Sequence, residues 1–404
     1  MSEVIGVLII GVKGAVATTL ISAGLTSSAG LVKQFTLPSE MDPLFQQLDL
    51  PTLDMMRFGG WDVASASMKD SLQHHGVVPK TLVDQIDTQL NQVWLSPGVA
   101  LTPAPIHDEL DPKLRIASQF ENLRVLVDML RADIQTFKTE HQADRVVVLD
   151  LSSTAPNLAS TPCHHSLAEF EQVLDLPVQN ALSLNTVHEG MLYAYAAISE
   201  GCSCINFTPS KTFDIPALIE LAVHNGVPLC GKDGKTGQTL YKTAIAPLLR
   251  QRALKVKGWY STNILGNRDG EVLDHPEHRQ TKIDSKRAVL SEILGYDDFD
   301  HQVHIHYYKP RGDAKEAWDN IDFEGWFGVP MQMKINWLGS DSILAAPLAV
   351  DLVRWMIYFQ RRGETGVISS LSSYFKSPIA ADTHDFFEQV LHLREEIKKH
   401  LKVD

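Results

Sequence analysis

Short aliphatic runs alternate along this chain with longer segments whose apolar residues recur every three or four positions, and that alternation limits the fold more than any other feature. Residues 4–10, VIGVLII, are apolar and rich in β-branched side chains. Gly11 and Gly14 then open a small-residue segment, GVKGAVATTLISAG, that continues as a helix. Around 121–139 Leu123, Val127, Leu130, Ile134 and Phe137 fall at helical spacing, and RVVVLDL at 145–151 follows as a strand. TVHEGMLYAYAAISEG at 186–201 reads as a helix ending on Gly201, and CSCINF as a strand. DIPALIELAVHNG reads as a helix with Asp214 as N-cap, Pro216 just inside and Gly226 just past its end, before VPLC returns as a strand. Apolar strands separated by helices pair in parallel, because each crossover helix covers a face of the sheet. The predicted class is α/β.

Beyond this region the runs KGWYSTNIL and HQVHIHYYK, between 255 and 310, predict a second, mixed sheet. A chain of 404 residues exceeds the size at which one core stops growing, so two domains are expected. SILAAPLAVDLVRWMIYFQ at 342–360 is nearly wholly apolar, but Asp351 and Arg354 interrupt it, which predicts a buried helix rather than a membrane span. The N-terminal apolar run follows Glu3 and is interrupted by Lys13, as suits a buried first strand better than a signal peptide. The formal charge of -13 argues against nucleic acid or an anionic membrane as partner, since both need a basic face. Four cysteines, Cys163, Cys202, Cys204 and Cys230, are too few and too scattered for a disulfide framework. A soluble, cytoplasmic protein is expected.

Two loops carry anion-binding chemistry. The turn Gly11-Val12-Lys13-Gly14-Ala15 falls short of G-x-G-x-x-G, because Ile9 stands where the first glycine belongs. It reads either as a seat for a pyrophosphate on a helix N-terminus or as a tight packing turn. GKDGKTGQT at 231–239 holds three glycines, two lysines, two threonines and a glutamine between a strand end and a helix start, a composition suited to an oxyanion cradle. It is not a nucleotide P-loop, since Leu229 occupies the first glycine position.

Downstream lie polar knots: Asn267 and Asp269 in GNRDG, Lys282 and Lys286 in TKIDSK, Asp313 and Lys315 in KPRGDAK. Lys282 and Lys286 share a helix face, where like charges repel unless an anion lies between them. Taken singly, each lysine also reads as a solvated surface residue. His301, His304 and His306 include an H-x-H pair but no clear third ligand, and Cys202 and Cys204 flank Ser203 without a partner C-x-x-C, so no metal site is expected.

In order and spacing these segments resemble the myo-inositol-phosphate synthases over nearly the whole chain. FGGWDVASASMKDSL is similar to that family's cofactor motif, DRVVVLDLSST to the strand that precedes its nicotinamide-side residues, and INFTPSKTF to its NGSPQNTF-like segment. GKDGKTGQT is the strongest match, followed by STNILGNRDG, TKIDSKRAV, YYKPRGDAKEAWD, GSDSILAAP and SSYFKSP. The resemblance implies a Rossmann-type doubly wound parallel sheet on residues 1–200 and about 340–404. A second, α+β catalytic and oligomerisation domain with the mixed sheet would occupy about 201–339, in a homotetramer.

The resemblance also implies roles. NAD would lie against Gly11, Val12, Lys13, Gly14, Ala15, Asp62, Ser152, Ser153, Thr154 and Asp341. Thr236, Gly237 and Gln238, with Lys315, would hold a sugar phosphate, and Asn267 and Asp341 would complete its binding. Lys282, Lys286, Lys315, Lys376, Asp233, Asp269 and Asp313 would serve catalysis. The implied reaction is cyclisation of D-glucose 6-phosphate to 1D-myo-inositol 3-phosphate: oxidation at C5, enolisation at C6, aldol attack on C1 and reduction at C5. Lys282 would take the C5 hydroxyl proton, and Lys286 and Lys376 would stabilise oxyanions at C5 and C1.

The chain departs from the family at its first loop, GVKGAVAT in place of GGNNGST. It also carries Lys232 in place of the first of two aspartates, and Arg268 in place of an asparagine. The last two add positive charge, which keeps open a related NAD-dependent cyclase or oxidoreductase on another sugar phosphate. A catalytically silent NAD-binding regulator is the alternative from another class.

Overall fold

The computed structural model describes residues 3–32, 35–102, 109–266 and 289–403. It divides into two compact units, one of residues 1–234, 346–369 and 377–380, the other of 235–345, 370–376 and 381–404.

The first unit is built on a parallel sheet. Its strands are β1 (Ile5–Ile10), β2 (Met56–Asp62), β3 (Trp94–Pro97), β6 (Arg145–Asp150), β7 (Ser203–Asn206), β8 (Pro228–Gly231) and, last in the chain, β13 (Gly366–Val367). The short strands β4 (Val99–Ala100) and β5 (Arg115–Ile116) form a separate parallel pair. The seven-stranded order is β13-β8-β7-β6-β1-β2-β3, with every pairing parallel. Strands run outward from β1 to β3, then resume beside β1 at β6 and run outward the other way. That reversal leaves a crevice at the carboxyl ends of β1 and β6, where open α/β sheets bind their ligands.

Helices approach this sheet closely because glycines stand where they touch. A Cβ at Gly6 would lie 2.6 Å from the Phe137 ring, and one at Gly24 would lie 2.3 Å from Phe58. The helix Leu123–His141 buries Leu123, Leu126, Val127, Leu130, Ile134 and Phe137, and Asn122 caps it by accepting from Val125 N. The expected helix at 186–201 spans Glu189–Ser199: it starts at His188, whose Nδ1 accepts from Gly190 N, and ends before Gly201, at φ +70. Asp214 is not an N-cap. Ile215 precedes the helix Pro216–His224, while the Asp214 carboxylate accepts from Thr212 N and pairs with Lys232 at 2.5 Å.

The helix Asp341–Arg361 is long and apolar enough to cross a membrane by length and composition, yet 78% of its most apolar window is buried inside the protein. Its two buried charges are matched internally: Asp351 accepts from Ser39, and Arg354 pairs with Asp351 at 3.2 Å.

The second unit contains β9 (Lys255–Leu265), β10 (Asp300–Tyr307), β11 (Ala314–Glu324) and β12 (Pro330–Ser340), in the order β10-β9-β11-β12. β10 runs parallel to β9 while the other pairings are antiparallel, so the sheet is mixed. Ala246 and Leu249 of the helix Gln238–Gln251 share a core with Val256, Trp259, Ile321 and Phe323. The edge strand β12 buries no residue. The C-terminal helix Phe386–Val403 begins at Asp385, whose carboxylate accepts from Phe387 N and Glu388 N.

Candidate active site

In the first unit the expected cofactor residues gather at the switch point of the sheet. Gly11 has φ +80, and a Cβ there would stand 3.1 Å from Leu151 O and 3.2 Å from Ser152 Cα, so the turn after β1 lies directly against the turn after β6. Gly14 precedes the helix Ala15–Ser28 with no side chain capping it, which leaves the first-turn amides facing outward for an anion. Asp62 ends β2 and accepts from Lys13 N at 2.8 Å and Ala64 N at 3.0 Å. A carboxylate has about four acceptor positions, so two such bonds orient it while sparing capacity for hydroxyls. The Lys13 ammonium donates to Ala64 O at 2.5 Å, tying its turn to the segment that follows β2. Ser152 donates through its amide and hydroxyl to Asp150, whose carboxyl is raised in pKa by burial against the pull of those bonds. The bare helix start and the missing Cβ at Gly11 fit a pyrophosphate between the two turns; Ser153 and Thr154 continue from Ser152.

The loop 231–234 is held within the same unit by its main chain. Lys232 N donates to Ser377 O, Asp233 N to Thr208 O and Gly234 N to Phe207 O. Gly234 has no substitute, since a Cβ would meet the Phe207 ring at 2.1 Å. Asp233 takes a left-handed conformation, φ 60, which aspartate tolerates better than most residues. Lys232 adds no free charge to a site, contrary to the expectation from its place in the loop, because Asp214 neutralises it.

In the second unit four expected substrate residues meet. Thr236 Oγ1 donates to Asp341 Oδ1 at 3.1 Å, and the Lys315 ammonium donates to the same oxygen at 3.0 Å. The Lys315 side chain also lies against Gly237, where a Cβ would come within 3.3 Å of Lys315 Cε. Gly237 precedes the helix Gln238–Gln251 without a capping side chain, so an uncapped helix start, a hydroxyl and an ammonium converge as an oxyanion seat needs. Burial would raise the Asp341 carboxyl, but the charge and hydrogen bond of Lys315, the charge of Lys376 and the Thr236 hydroxyl outweigh it and hold the pKa low. Asp341 therefore stays ionised beside the cradle.

Two expected residues point elsewhere. The Gln238 side chain turns inward: its Nε2 donates to Asp319 at 2.9 Å and its Oε1 accepts from Asn263 at 2.6 Å. Asp319 also accepts from Trp259 Nε1 and Ser261 Oγ. The Gln238 side-chain amide thus anchors the helix within the core of this unit. Asp313 accepts from Ser340 Oγ and from the amide and hydroxyl of Ser342, so it organises the helix start that carries Asp341. Asn267, Asp269, Arg268, Lys282 and Lys286 lie outside the described residues. His304 and His306 stack 6.3 Å apart, and among the described residues no group of three or more His, Cys, Asp or Glu could hold a metal ion.

Lys235 was not singled out from the sequence, although it stands in the loop flagged there. It is 3% exposed, and its ammonium donates to Gln389 Oε1 at 2.6 Å and lies over the Phe386 ring. Burial brings its pKa down to about 7. Lys242, one helical turn past Gln238, is likewise buried and lies 2.8 Å from His301 Nε2. Nothing in local sequence signals either partner.

The family model described as Myo-inositol-1-phosphate synthase matches residues 26–398. Inositol-3-phosphate synthase 1 of Bacteroides thetaiotaomicron is 37% identical over 411 residues, covering 96% of this chain and 91% of that protein. Inositol-3-phosphate synthase of Saccharomyces cerevisiae is 30% identical over 317 residues, covering 73% of this chain but 57% of the yeast protein. Among solved structures, inositol-3-phosphate synthase of Caenorhabditis elegans superposes with a TM-score of 0.83 at 22% identity, over 98% of this chain and 86% of that one. A myo-inositol-1-phosphate synthase-related protein of Thermotoga maritima gives 0.76 at 23% identity, over 98% of this chain and 99% of that one. These two structural matches speak to the fold.

Proposed function

Because the chain belongs to the myo-inositol-1-phosphate synthase family, we propose that it cyclises D-glucose 6-phosphate to 1D-myo-inositol 3-phosphate with no net oxidation. The observation that carries the reading is the convergence of Thr236, Gly237 and Lys315 on Asp341, an anion seat beside a second lysine charge from Lys376. NAD supplies the hydride acceptor and donor for C5. The turns after β1 and β6, with Asp62, bind its pyrophosphate and ribose.

On the substrate, the amides of Gly237 and Gln238, the Thr236 hydroxyl and the Lys315 ammonium bind the phosphate, fixing the far end of the sugar so that its reacting carbons are held in place. Lys282 takes the C5 hydroxyl proton. Once C5 is a ketone, a neutral lysine of the set takes the C6 proton, giving an enolate whose charge Lys286 stabilises. C6 attacks the C1 aldehyde, the alkoxide that Lys376 stabilises takes that proton, and reduction at C5 with return of the proton from Lys282 restores the alcohol. Asp233 and Asp269 orient these lysines and the hydroxyls, Asn267 binds the sugar, and Asp313 keeps Asp341 in position.

We assign cofactor binding to the seven-stranded unit and the phosphate cradle to the other, in a cytoplasmic homotetramer. Self-association is supported by the apolar surface of the mixed-sheet unit, where Trp326 is 84% and Phe327 98% exposed at the tip between β11 and β12.

Incubation of the purified protein with glucose 6-phosphate and catalytic NAD, followed by NMR, tests the reading. Inositol phosphate without net NADH supports it. Unchanged substrate in the presence of bound NAD refutes it. The residue roles have their own test, since turnover surviving in Lys282→Ala would remove Lys282 as the base.

A further inference from the structure

We infer that Lys235 is a positioning residue, whose side chain turns away from the phosphate cradle and ties the cradle loop to the C-terminal helix through Gln389. The inference rests on the cradle assigned above and adds a residue to it. By sequence Lys235 invites a different role, since a lysine before Thr-Gly-Gln resembles a direct phosphate ligand. Its geometry excludes that role in this conformation: the ammonium is buried, donates to Gln389 Oε1 at 2.6 Å and lies 5.7 Å from the centre of the Phe386 ring.

Gln389 is built to receive it. It is fully buried, and its Nε2 donates to Thr383 O at 2.7 Å, which fixes the amide so that Oε1 faces the lysine. Thr383 and Asp385 hold the helix start rigid in turn, Asp385 N donating to Thr383 Oγ1 and the Asp385 carboxylate capping Phe387 and Glu388. At its other end Lys235 donates its main-chain amide to Tyr374 O at 2.8 Å, two residues before Lys376. One residue therefore fixes both the approach to Thr236 and Gly237 and the segment carrying Lys376. Burial lowers the ammonium pKa to about 7 while the Asp385 charge opposes the fall, so desolvation outweighs the nearby carboxylate.

Removing the ammonium leaves a buried acceptor without its donor and releases the loop, so the loss should fall on phosphate binding. Steady-state kinetics on the full chain compare wild type, Lys235→Met, Gln389→Leu and the double variant. We expect the KM for glucose 6-phosphate and the inhibition constant of inorganic phosphate to rise together by about tenfold, with kcat within about threefold, as one charge-assisted hydrogen bond is worth. The double variant should be no worse than the worse single one, because both remove the same tie. Unchanged KM and phosphate inhibition in both single variants overturn the inference, as does a fall in kcat alone, which would make Lys235 a proton carrier. If Lys235→Met does not fold, Gln389→Met leaves the loop sequence intact and carries the same test. If the wild type fails to cyclise glucose 6-phosphate, the functional reading falls instead. Calorimetry with inorganic phosphate then decides on Lys235, tenfold weaker binding supporting its role and equal binding refuting it.

Discussion

At Lys315 one ammonium faces both the Asp341 carboxylate, 3.0 Å away, and the space beside Gly237. Lys315→Met should lower kcat/KM for glucose 6-phosphate by roughly 100-fold or more, the usual cost of removing a buried charge from an oxyanion site. It should also shift the acid limb of the pH profile upward, because Lys315 is the largest influence opposing the effect of burial on Asp341. A profile with the same acid limb in both proteins would uncouple the two residues. Lys242 makes a separate prediction. Burial lowers its pKa to about 8 in the folded protein, against about 10.4 in the unfolded chain, so between those values the unfolded state binds more protons and stability rises with pH. Each pH unit in that window adds up to ~1.4 kcal/mol. Urea unfolding at pH 8, 9 and 10 should show a shallower rise in Lys242→Met than in wild type; equal slopes would contradict the assignment.

Among the elements, the parallel sheet depends on glycines that let neighbouring backbones meet. A Cβ at Gly60 would lie 2.0 Å from Ile9 O, a main-chain atom of the adjacent strand that has nowhere to move. Gly60→Ala should therefore destabilise by ~3 kcal/mol or more, seen as lost soluble yield or a collapsed denaturation midpoint. Asn122→Ala should cost only ~1 kcal/mol by the same urea assay, since it removes one capping bond from the helix Leu123–His141. The stripe of that helix was legible in its sequence because the periodicity and the burial coincide. The start of the helix Glu189–Ser199 was not, because its cap is a histidine ring nitrogen, outside the usual capping residues. Asp214 misled for a related reason: it has the chemistry of a cap, but Lys232 offers its carboxylate a stronger partner.

For the whole molecule, the exposed Trp326 and Phe327 predict that assembly buries the β11–β12 tip. Light scattering on the wild type at micromolar concentration should report a tetramer, and Trp326→Ser with Phe327→Ser should shift the mass toward smaller species. A wild-type monomer would remove the proposal.

By itself the sequence determined the alternating strands and helices, the buried character of the helix Asp341–Arg361, and the glycine-rich 231–239 loop between a strand end and a helix start. Each of these is written in neighbouring residues, through the period of apolar positions or the need for glycine in a tight backbone. Only the tertiary structure decided where the polar side chains aim. Gln238 turns to Asp319, 81 positions away, and Lys235 reaches Gln389, 154 positions away. Such pairings follow from how sheet and helices pack, because a buried donor must find whichever acceptor the fold brings within 3 Å or so, and no local pattern names that acceptor.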